Sequence, residues 1–153
     1  MPPELHPVLL HFAIALLVTG PAFDLFGLLL KREALLVAGR WNTVVGAAVL
    51  VLVTLSGLAA EASLGPHSPA GAALLSLHKG MGFSLLALWL PIAAWRTFSK
   101  HLLPLRLRTL YLSASYLGAA LIVFQAVLGS ALVYRHGVGL SAAARAEPMA
   151  HPK

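Results

Sequence analysis

The chain has 153 residues, of which 59% are hydrophobic and 10% charged, with a mean hydropathy of +0.84 and a formal net charge of +6. That composition lies outside the range of soluble globular domains and excludes a water-soluble body for most of the chain. Cysteine is absent, which excludes covalent c-type haem, a chain-ligated iron–sulfur cluster, thiolate copper and disulfide chemistry.

Four apolar stretches follow one another, at residues 8–30, 41–60, 70–95 and 110–134. Each is near or above the ~20 residues a helix needs to cross a bilayer core. None alternates with period two, so strands are excluded. The expectation is an all-α membrane protein, a bundle of four transmembrane helices within one domain over residues 1–140. Residues 141–153 are Ala-rich and read as a disordered tail, whose Met149 and His151 are weak copper donors at best. The opening Met-Pro-Pro-Glu has no basic segment, so the first stretch is expected to remain a span.

The basic residues orient the bundle. Lys31, Arg32 and Arg40 lie between the first two stretches, and Arg96, Lys100, Arg106 and Arg108 between the last two. The other side carries Lys79, Arg135, Arg145 and Lys153, diluted by Glu4, Glu61 and Glu147. The positive-inside rule makes the two basic connections cytoplasmic and both termini outer. Trp41, Trp95 and Tyr111 would then mark the inner interface and Tyr134 the outer one. The excess positive charge is a topology signal, and nucleic acid is not an expected partner; the lipid bilayer is. Paired broken helices and inverted halves are both missing, which disfavours a transporter.

The histidines gather by depth. His11 lies roughly 28 Å from the inner end of its stretch and His78 roughly 26 Å, counted at 1.5 Å per residue. Both fall just inside the outer edge of the core, and His136 follows Tyr134 at the same boundary. Three helices thus deliver an imidazole to one height, where a haem, metal or quinone site is possible. Each histidine alone reads equally as an interfacial helix-end residue. His6 fits a turn before Pro7, and His67 a solvated Gly-Pro-His-Ser-Pro loop. His6 and His11 lie about 140° apart round a helix, so they would not point at one ion.

Small residues surround the candidates: Gly57, Gly80, Gly82, Gly129 and Gly137. They leave room for a flat ligand, and they also allow plain helix packing. Lys79 and Arg135 adjoin candidate ligands where haem propionates need cations, although snorkelling anchors would look the same. Glu61 shares this depth and could orient an imidazole. Deeper in, Asp24 follows a Gly20-Pro21 pair expected to kink the helix. Its buried carboxylate needs a cation, with Arg40 or Arg108 as the expected partner. Gln125 is expected to make an interhelical hydrogen bond.

A cysteine-free bundle with imidazoles on several helices suits bis-histidine haem b, using two of His11, His78 and His136. His11 and His78 are the first choice, and His136 the alternative. An imidazole-rich copper or zinc site would use all three, with His6, His67 or Glu61 as weaker contributors. A transmembrane chain of two haems is disfavoured, because the inner half offers only His101.

The opening Leu-His-Pro-Val-Leu-Leu-His-Phe, then Asp24, Arg40-Trp41 and His78, and the closing Val-Tyr-Arg-His-Gly-Val-Gly resemble a bacterial four-helix membrane family known as a domain of unknown function. The resemblance runs from Leu5 to about Leu140. The family's recurrent positions correspond here to His6, His11, Asp24, Trp41, His78 and His136. Some of its members are fused to Rieske-type domains, which implies a redox setting. This chain departs from the family pattern at Phe12-Ala13 and at Lys79-Gly80. The functional expectation is a haem b electron carrier near the outer face, quinol-linked or serving a redox partner or respiratory complex there, and open to homo-oligomer formation. The competing expectations are a cofactor-free structural or assembly subunit and a copper or zinc protein.

Overall fold

The computed structural model describes residues 5–65, 68–99, 103 and 107–140. His67, His101, Lys100, Arg106 and the tail 141–153 lie outside the described residues. The described residues form four helices: α1 (Leu5–Leu29), α2 (Glu33–Glu61), α3 (Pro69–Phe98) and α4 (Arg108–His136). All are long and apolar enough to cross a membrane, and no strand occurs among the described residues.

Two helices begin earlier than their hydropathy suggests. α1 takes in His6 and Pro7, because a proline in the first turn lacks only a donor that has no intrahelical partner there. α2 begins at Glu33, well before Trp41, since Glu33-Ala-Leu-Leu-Val-Ala are strong or neutral helix formers. Only Leu30, Lys31 and Arg32 remain between the helices. Arg32 N–H bonds the Gly27 carbonyl at 2.9 Å while Lys31 takes a left-handed φ of 53°, a tight helix-ending turn. α4 ends more conventionally, with Gly137 at φ 61°.

The helices form a ring. α1 packs on α2 and α4, and α3 packs on the same two neighbours, so α1 faces α3 across the diagonal. Each antiparallel hairpin has its own regular seam. Along α1, His6, Leu17, Gly20, Asp24 and Gly27 meet Gly57, Gly46, Thr43, Gly39 and Leu36 in reverse order along α2. The steps combine threes and fours, the knobs-into-holes spacing of a heptad seam.

Glycine alternates with larger side chains across that seam, which lets the backbones of α1 and α2 approach closely. In the α3/α4 seam His136 meets Gly71, His78 meets Gly129, Gln125 meets Gly82, and Trp89 meets Gly118. The core between the hairpins is apolar, with Leu17, Leu50, Leu85, Trp89, Ile92 and Ile122 buried.

Candidate functional site

The starts of α1 and α3 and the ends of α2 and α4 share one end of the bundle, the histidine end. His6 points into the α1/α2 seam, where its Nδ1 donates to the Val53 carbonyl at 3.0 Å and lies 3.1 Å from Ser56 Oγ. Ser56 Oγ itself donates to the same carbonyl at 2.9 Å. A carbonyl only accepts, so Nδ1 holds the proton and the lone pair is left on Nε2. A methyl group at Gly57 would stand 3.0 Å from His6 Cε1. The ring occupies space that only glycine leaves.

His78 repeats this arrangement in the other hairpin. Its ring lies over Gly129, where a Cβ would come within 3.1 Å of Cε1, and its buried Nδ1 has no hydrogen-bond partner among the described residues. The backbone carbonyl of His78 accepts from Gln125 Nε2 at 2.8 Å, the interhelical bond expected of that glutamine.

His11 behaves differently. It lies on the exposed side of α1, its Nδ1 donating to the Pro7 carbonyl one turn back at 2.6 Å. The expected pairing of His11 with His78 is therefore not assembled; His6, placed by sequence in a turn, occupies the interior instead. The two rings diverge around α1 as their five-residue spacing requires. His136 packs against Gly71, two turns of α3 beyond His78. Among the described residues no three His, Asp or Glu side chains gather into a metal-sized cluster.

The charged neighbours are partly committed. Lys79 Nζ bonds Glu61 at 2.7 and 3.1 Å, tying α3 to α2 at the histidine end. Both side chains remain substantially exposed, at 42% and 35%. Glu61 thus holds Lys79 and no imidazole. Arg135 lies exposed in the last turn of α4.

At the opposite end the cation for Asp24 is Arg96. Neither Arg40 nor Arg108 reaches it: Arg40 bonds the Thr97 carbonyl at 3.0 Å. Arg96 Nη2 donates to Asp24 Oδ1 at 2.6 Å and to the Leu36 carbonyl at 2.8 Å, and both charged side chains are fully buried. Tyr111 Oη donates to Asp24 Oδ2 at 2.9 Å, and the guanidinium sits 5.4 Å from the Tyr111 ring centroid. Tyr111, expected at the interface, is completely buried because the carboxylate requires its hydroxyl. Gly39 opposite Asp24 leaves the carboxylate its space.

An internal repeat in the chain locates both ends. Arg96 follows Asp24 by 72 residues. The same offset relates His78 to His6, Gly129 to Gly57 and Gly118 to Gly46, with Gly-Ala-Ala following at the last pair. The halves run in the same direction, so an approximate two-fold axis parallel to the helices relates them. Equivalent residues that touch must lie near that axis, and Asp24 with Arg96 do. His6 and His78 are equivalent positions at the other end of the bundle.

A four-helix integral membrane protein built from two like hairpins is what the fold and its two polar ends define. The chain belongs to the family described as "Predicted membrane protein (DUF2231)", which it matches over residues 2–142. No curated protein and no solved structure matches it.

Proposed function

We propose that this protein is a b-type haem-binding electron carrier of the bacterial cytoplasmic membrane, with both termini outside and with His6 and His78 as the residues that would hold the haem. The observation that carries the reading is the matched pair of histidines. They sit at equivalent positions of two like hairpins, on helices across the diagonal, at one depth, and each lies opposite a glycine.

The donor chemistry fits. His6 Nδ1 is anchored on the Val53 carbonyl, which fixes the ring and directs the Nε2 lone pair elsewhere. That orienting bond is the usual companion of an imidazole that ligates iron. Gly57 and Gly129 provide flat surfaces beside the rings. Bound haem would supply one-electron carriage between a membrane quinol and an acceptor at the outer face. The chain's own part is to hold two imidazoles, exclude water with the Leu17–Leu85–Ile122 layer below them, and offer Arg135 and Lys79 to propionates. A two-histidine site is favoured over copper or zinc because no third donor joins the pair among the described residues.

The test is a reduced-minus-oxidised spectrum with pyridine haemochrome on the purified protein after haem loading. A b-type spectrum lost in His6→Ala and in His78→Ala, but kept in His11→Ala, is the expected result. A colourless, well-folded protein would overturn the proposal in favour of a cofactor-free subunit of a larger complex.

A further inference from the structure

The two clefts flanking the ion-pair end are not alike. Between α2 and α3, Arg40 bridges the helices through its bond to the Thr97 carbonyl. Between α1 and α4 no arginine closes the gap, and a groove of about 570 Å³ opens sideways. One wall is apolar, formed by Leu25, Leu28, Leu29 and Leu112. The rim is polar, with Arg108, Thr109, Ser113 and Tyr116. Tyr116 is fixed there by its hydroxyl, which donates to the Pro21 carbonyl at 3.2 Å.

Arg108 is the distinctive member. It is exposed, and it makes no ion pair or hydrogen bond among the described residues, whereas Arg96 and Arg40 are both engaged. It also opens α4, whose first turn carries no acidic residue and no capping side chain. A free guanidinium, two small hydroxyls and a leucine wall at the membrane boundary select a molecule with an anionic head and an apolar tail.

We infer that the α1/α4 groove seats one acidic phospholipid, its phosphate held by Arg108 with Thr109 and Ser113, and an acyl chain laid along Leu25, Leu28 and Leu112. A free phosphate would leave the apolar wall unused. A neutral lipid would leave the guanidinium without its anion at a site where the local dielectric is low. With the orientation proposed above, this is the cytoplasmic leaflet. The inference does not depend on any cofactor at the histidine end.

The experiment is native mass spectrometry of the delipidated, detergent-solubilised protein titrated with phosphatidylglycerol, phosphatidylcholine or inorganic phosphate. One phosphatidylglycerol should bind in preference to phosphatidylcholine. Arg108→Gln should weaken that binding by roughly tenfold or more, the scale of losing a charge-assisted hydrogen bond. Leu112→Trp, which fills the groove and leaves Arg108 in place, should weaken it as well. Circular dichroism on both variants checks that they fold. Equal binding of the two lipids, or phosphatidylglycerol binding unchanged in Arg108→Gln, overturns the inference. Full competition by inorganic phosphate together with an unaffected Leu112→Trp would also overturn it, revealing a simple anion site.

Discussion

Asp24 and Arg96 occupy equivalent places in the two halves of the chain, 72 residues apart, and grip one another at 2.6 Å with no exposure to solvent. A symmetric pair of identical residues could not do this. Two aspartates or two arginines at that point would repel, so the halves had to differ where they meet. The ion pair therefore joins two hairpins that otherwise resemble each other, at the end remote from His6 and His78. Counted along α1, the two ends are roughly 27 Å apart, about the thickness of a bilayer core.

Breaking this pair should be the most damaging single polar change. Asp24→Ala leaves a buried guanidinium without its anion and is expected to cost about 3–5 kcal/mol. The double variant Asp24→Leu/Arg96→Met removes both charges and should recover much of that loss. Thermal unfolding in detergent of Asp24→Leu, Arg96→Met and the double variant, read as a cycle, gives the coupling.

Tyr111→Phe keeps the ring over Arg96 and deletes only the hydroxyl that meets Asp24 Oδ2. A hydrogen bond to a charged group is worth about 1.5–3 kcal/mol, so the unfolding midpoint should fall by less than in Asp24→Ala. Chemical denaturation beside Tyr134→Phe, whose ring is 86% exposed, separates the buried hydroxyl from a surface one.

The glycines divide by what faces them. A Cβ at Gly118 would stand 2.9 Å from the Trp89 ring, which is fully buried and has little room to shift. Gly118→Ala should therefore destabilise by about 1–3 kcal/mol. Gly80 has open space around its missing Cβ, so Gly80→Ala should stabilise α3 by about 0.5–1 kcal/mol. Opposite signs in thermal shift are the expected outcome.

The Glu61–Lys79 bridge is exposed and should matter little to stability. Glu61→Gln is expected to change unfolding by less than about 1 kcal/mol and to lose even that effect in high salt. If the histidine end binds haem, releasing Lys79 in this variant should raise haem affinity. A titration with haem at low ionic strength reads that separately from folding.

Much of the architecture was legible because it follows from composition. Four long apolar stretches without cysteine admit little except a helical membrane bundle, and the interhelical role of Gln125 followed from its isolation in mid-span. Helix starts were less legible: His6 and Pro7 read as a turn and Glu33 as a loop, because polar and proline residues mark boundaries only on average. The inward face was not legible at all. In stretches apolar all round, hydropathy carries no azimuth, so His11 was expected inside and His6 in a turn, whereas the α1/α2 seam puts His6 inside and leaves His11 exposed.

By itself, then, the sequence determined the class of protein, its membrane setting and the depth of each polar group, since these depend on counts along a helix of known rise. It also held the internal offset that relates His6 to His78 and Asp24 to Arg96. Only the tertiary structure decided which groups meet: Arg96 and not Arg40 or Arg108 for Asp24, Glu61 for Lys79, Gly57 for His6 and Gly129 for His78. Those choices depend on rotation about each helix axis. Gly57, Gly129, Gly39 and Gly118 set that rotation by leaving the holes that larger side chains across the seam must fill.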